Sequence, residues 1–116
     1  MSADTLIFAA LKALVGNRVY PLLAPEDVAR PYIVYQQVGG QSLNFLDATV
    51  PSKKNARIQV AIWGDTRADV AELAGQVEDT LRLAAGLQTT VLGQPVASVD
   101  PDTRLHGSRQ DFSLWI

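Results

Sequence analysis

The chain reads as an α+β domain, with two helices packed on one face of a mainly antiparallel sheet of about four to five strands. Three observations lead there. Two segments carry apolar residues at helical spacing, several others alternate apolar with polar residues, and the order is helix, strands, helix, strands. That order favours helices layered against an antiparallel sheet.

The first helix is expected from about Asp4 to Val15. Ser2 or Asp4 can cap it, and Gly16 supplies the left-handed residue that often ends a helix. Ile7, Leu11 and Leu14 form its apolar stripe, widened by Leu6 and Ala10. "RVYPLL" follows as a short extended piece stopped by Pro21, and Pro25 and Pro31 keep the segment between them out of helix. Tyr32 to Val38 is a strand rich in β-branched and aromatic residues, with Pro31 at its start, where proline is tolerated. Ile33, Tyr35 and Gln37 share one face of it.

Gly39-Gly40 then lets the chain leave the strand steeply. The polar segment 41–55 that follows is far longer than the usual connection of about 4–6 residues. The next strand, "ARIQVAIWG", turns Ile58, Val60 and Ile62 to the core, and Arg57, Gln59 and Trp63 outward or towards a neighbour. "DTRADVAELAGQVEDTLRLAA" is the second helix. Thr66 with Asp69 fits a capping box, Val70, Leu73, Val77 and Leu81 form the stripe, and Gly86 ends it. "TTVLG" and "PVASVD" make a strand region broken at Gly93-Gln94-Pro95, and "DPDTRLHGS" reads as a turn or loop. "RQDFSLWI" closes the chain as an alternating strand, Phe112, Leu114 and Ile116 on one face, Asp111, Ser113 and Trp115 on the other. One domain over residues 1–116, with a long loop at 41–55, is the simplest organisation.

Composition excludes several classes. The 116 residues are 47% hydrophobic and 19% charged, enough for one core without a metal or disulfide staple. There is no cysteine, so disulfides, thiol nucleophiles and cysteine zinc sites are ruled out. The net charge is −2 with both signs interspersed, and Lys53-Lys54 is the sole adjacent basic pair, which argues against nucleic-acid binding. The N-terminal segment lacks a basic flank, and its apolar run is too short for a bilayer, so neither secretion nor membrane insertion is expected and synthesis is read as cytosolic.

The chemical inventory is sparse. His106 falls in a polar turn, and no G-x-S-x-G elbow exists. "DPDTRL" lacks the glycine and glutamate of a calcium loop, offering Leu105 and Asp111 instead, so Asp100 and Asp102 read as turn formers. "VGGQS" has no following Gly-Lys-Ser/Thr, hence no phosphate cradle. No catalytic residue, metal or cofactor is expected, and the chain is not read as an enzyme. Lys53 and Lys54 read as a solvated loop tip or as a contact for phosphates or an acidic partner. Phe45, Leu46 and Val50 are apolar residues in a polar loop, free either to fold back or to dock on another subunit. Trp63 and Trp115 lie out of phase with the aliphatic rows of their strands. They join Arg57, Gln59 and Ser113 on a half-polar face suited to a neighbouring subunit.

Four blocks carry a family resemblance. "LKALVGNRVYPLLAPEDVARPYIVYQQVGG", "ARIQVAIWGDTRADVAELAGQVEDTLR" and "SRQDFSLWI" resemble, in order and spacing, the tail completion or tail terminator proteins of long-tailed bacteriophages and prophages. A variable block around Val91 to Val99 fits by position, and residues 41–55 and 86–105 match least. The resemblance implies a non-enzymatic virion assembly protein. Such proteins form a ring, commonly sixfold, that caps the tail tube, stops its polymerisation and presents a surface to the head–neck connector. Partners so implied are further copies of the chain, the tube protein and the connector, first in the host cytoplasm and then in the virion tail. Pro31, Tyr32, Tyr35 and Trp63 are then fold determinants, while Phe45, Leu46, Lys53, Lys54 and Arg57 are the expected ring or tube contacts. A head–tail adaptor ring, or a small non-viral α+β binding protein, are the alternative readings.

Overall fold

A computed structural model describes residues 2–116. Helix α1 (Ala3–Leu11) starts at Ser2, whose side chain accepts a hydrogen bond from the Thr5 amide at 3.2 Å, so Ser2 rather than Asp4 is the cap. The helix tightens to a 3-10 turn over Lys12–Leu14, and left-handed Gly16 and Asn17 then redirect the chain. Strand β1 (Val19–Pro21) is the short extended piece. It pairs in parallel with β2 (Tyr32–Gln37), the one departure from an antiparallel sheet.

Strand β3 (Asn55–Gly64) pairs antiparallel with the whole of β2 through Ile58–Trp63, and the pairing runs on past Gln37, since the Val38 amide donates to the Arg57 carbonyl. Helix α2 (Arg67–Leu83) is capped by the Thr66 hydroxyl, which accepts from the Asp69 amide at 3.1 Å. It stops at Leu83, before Gly86. That glycine serves instead in the turn leading to β4 (Thr90–Val91). Strands β4 and β5 (Val96–Val99) both lie along β6 (His106–Trp115), as one edge strand interrupted where Gly93, Gln94 and Pro95 cannot keep the ladder. The sheet order is β1-β2-β3-β6-β4, with β5 also on β6.

Strand β6 begins at His106, earlier than the turn assigned to "DPDTRLHGS". His106, Gly107 and Ser108 are polar or small and carry no strand signal of their own. Their pairing with β3 and β5 on both sides makes them a strand. The turn itself is confined to residues before them, where the Asp100 side chain accepts from the Asp102 amide at 2.9 Å.

Both helices cover one face of the sheet. Ile7 and Leu11 of α1, Val70, Leu73, Val77 and Leu81 of α2, and Ile33, Tyr35, Ile58, Val60, Ile62, Phe112 and Leu114 of the sheet form one buried cluster. Register explains the match, since Ile33 lies opposite Ile62, Tyr35 opposite Val60, and Ile58 opposite Phe112. The phase that buries Phe112 also buries Gln110. Its amide is satisfied by donating to the Glu78 carboxylate at 2.7 Å and to the Gly93 carbonyl at 2.9 Å. Gln110 thereby ties β6 to α2 and to the break in the edge strand. Among the described residues, the opposite face of the sheet carries no helix.

Candidate assembly interface

Two surfaces stand out, and the first is the arm of residues 41–54 between β2 and β3. Its root is tightly built. A Cβ on Gly40 would run into the carbonyl of Asn55, and Gly39 and Gly40 both have positive φ, so the steep exit requires glycine. The Asn55 side chain accepts from the Gln41 amide at 2.8 Å and donates to Ser113 Oγ at 2.7 Å. Lys54 and Ile116 exchange backbone hydrogen bonds at 2.9 and 3.0 Å, extending the β3–β6 ladder to the foot of the arm.

Beyond that root every residue from Gln41 to Val50 is exposed. The Ala48 amide closes a turn on the Phe45 carbonyl, and Asp47 accepts from the Thr49 amide and hydroxyl. Those Thr49 hydrogen bonds, the hydroxyl's first, hold the Asp47 carboxyl below its usual range. Phe45 is half exposed, and Leu46 and Val50 are 110% and 82% exposed. The apolar residues therefore do not fold back onto the domain. The molecule measures 53 × 25 × 23 Å, because the arm stands off a body whose longest strands run about 33 Å.

The second surface is the bare sheet face. Tyr32, Trp63 and Gly107 form one cross-strand row of it, and Gln36, Gln59 and Asp111 another. The Trp63 ring lies over Gly107, where a Cβ would come within 2.7 Å of it. Arg57 grips Asp111 through Nε at 3.1 Å and Nη2 at 2.7 Å, a half-exposed pair that fixes the side chains more than it stabilises the fold.

The five expected contact residues thus fall in three places. Phe45 and Leu46 are at the arm's turn, Lys53 and Lys54 at its foot, and Arg57 on the bare face. The arm is accordingly apolar at the tip and basic at the root, the reverse of the basic tip expected from Lys53-Lys54. Sequence reading missed Asn55 and Asp111, which hold the root and Arg57 in place. It also passed over Leu22 and Leu23, exposed beside β1 at the sheet edge. The run "PLLAP" was the available signal for them, an apolar pair between prolines.

Among the described residues, no group of three or more histidine, aspartate or glutamate side chains is placed to hold a metal ion. No described helix is long and apolar enough to cross a membrane. Tyr32, on the bare face, has its pKa raised by burial, against the lowering effect of Arg30.

An α+β subunit with a projecting apolar arm and an uncovered sheet face is built for contact with other proteins. The family model "Tail completion protein gp17" matches residues 7–116, so the chain belongs to that family of structural bacteriophage virion proteins. Its role is structural, in tail assembly, alongside other virion proteins. No curated protein sequence matches the chain. A chain from the virion of a native gene transfer agent particle shares the fold, with a TM-score of 0.62 and 18% identity over 98% of this chain and 93% of its own. A second solved structure does so with a TM-score of 0.57 and 13% identity over 99% and 96%.

Proposed function

We propose that the chain forms a ring on the end of the tail tube, commonly sixfold, which ends tube polymerisation and offers the surface for head joining. The observation that carries this reading is the arm. An apolar turn at the end of a 14-residue arm on a rigid root, with nothing of its own domain covering it, needs an external partner to be dry. Phe45 and Leu46 supply the buried part of that contact. Lys53, Lys54 and Arg57 supply its polar margin, towards the tube or the adjacent subunit. A cyclic ring requires unlike patches to meet, which an arm on one side of a subunit provides. Assembly takes place in the host cytoplasm, and the finished ring stays in the tail.

Replacing residues 42–53 by a short Gly-Ser turn tests this. Asn55 is retained because it belongs to β3. The variant is expected to stay soluble and folded by circular dichroism. Lysates that carry it as the sole copy are expected to show overlong tails by electron microscopy. Tails of normal length, joined to heads, would sink the reading. Tails of normal length that fail to join heads would mark the chain as an adaptor.

A further inference from the structure

We infer that the arm tip of one subunit docks in the groove between α2 and the β5–β6 edge of the next, the Phe45 ring inside the groove and Asp47 facing Arg67. The inference rests on the ring reading and adds to it which two surfaces meet.

The groove has the size and chemistry for the tip. It holds about 220 Å³ between Val70, Ala71 and Ala74 of α2 and Pro95 and Ala97 of the broken edge strand. An apolar cavity of ~150 Å³ is enough to take a benzene ring, so a phenylalanine ring fits with room for its neighbour. Small side chains on both walls are what leave this space open.

Charge agrees. Arg67 lines the groove and makes no ion pair among the described residues. Asp47 is the sole acidic residue of the arm, two positions from Phe45. It likewise pairs with no described cation, and its two bonds from Thr49 hold it in the turn.

Geometry then excludes the arm's own groove. Groove residues Gly107 and Ser108 lie opposite Trp63 and Ile62 on β3, while the arm leaves from Asn55 at the strand's other end. Seven steps of strand, from Asn55 to Ile62, separate the arm's root from even the nearer of these two by roughly 23 Å. Phe45 is tethered five residues from Gly40, a reach of at most about 18 Å even fully extended, and the groove lies on the helix-covered side. The occupant is therefore a second copy. Arm at one end and groove at the other make a head-to-tail contact, the kind that closes into rings.

The absence of cysteine gives a clean test by paired single cysteines on purified tails. With Leu46→Cys and Ala71→Cys in one chain, mild oxidation is expected to give a ladder of linked subunits. Its yield should be about tenfold above that of Leu46→Cys with Ser113→Cys, which places the second thiol on the bare sheet face. In the first background, Asp47→Arg or Arg67→Asp alone should lower the ladder about tenfold, as charge reversal at a register-fixing pair does. The two together should restore most of it. Capped tails of normal length that link only through Ser113→Cys, or through neither pair, overturn the groove and leave the ring standing. A double charge exchange as weak as the single changes also overturns the groove. Tails that lack the chain altogether overturn both.

Discussion

At the scale of single residues, Gly107 marks a crowded point of the bare face. A Cβ there would meet the Trp63 ring at 2.7 Å and Ser98 Oγ at 2.9 Å. Gly107→Ala is expected to cost about 1–3 kcal/mol by overpacking, seen as a lower urea midpoint at unchanged slope. Tyr35 gives a pH signature. Its part-buried hydroxyl donates to Asp4 at 2.9 Å, and burial first, then Asp4, raises its pKa well above the usual 10.0. The folded state holds this proton more tightly than the unfolded chain. The contribution is therefore complete below about pH 10 and is lost as pH rises beyond it. The wild type should lose stability above pH 10, and Tyr35→Phe should flatten that decline; equal slopes in the two proteins would refute the assignment. Alternation alone assigned Tyr35 to the core face. Its partner lies 31 residues away in sequence, set by how α1 crosses the sheet, and no periodicity encodes that.

At the scale of elements, the start and buried stripe of α2 were legible because cap and periodicity agree locally, whereas its end falls at Leu83, ahead of the glycine expected to stop it. Thr66→Ala is expected to cost about 1 kcal/mol by removing the bond to the Asp69 amide, measured by thermal unfolding. Strands β2 and β3 were legible for the same reason, since their alternation matches the buried face. Where context overrides local preference, the reading slipped. His106 to Ser108 look like loop yet are strand, and the parallel pairing of β1 follows from a ten-residue connection that carries no pattern. The polarity of the arm was misjudged because sequence order does not reveal where a loop turns. The turn lies at Phe45–Ala48, and Lys53-Lys54 is already back at the sheet. Since the arm buries nothing of its own domain, Leu46→Ser should change stability by no more than about 0.5 kcal/mol, while weakening assembly on tails. A large loss of stability would instead show that the tip packs within the monomer.

At the scale of the molecule, the 53 Å length places an apolar projection and an apolar recess at opposite ends of one sheet. The order of blocks along the sequence was enough to identify the family, whereas the groove was invisible there. Its walls come from α2, β5 and β6, elements that only the folded chain brings together. The foot of the arm has a consequence for biogenesis. Strand β3 takes its main partner, β6, from 42 or more residues further along, and Lys54 is fastened by Ile116. A nascent chain that has exposed the arm but not yet β6 has no fixed foot for it, and long-range pairing of this sort forms late and slowly. If the arm makes the proposed ring contact, unfinished chains lack the means to join the ring, and the order of translation itself becomes a checkpoint on assembly.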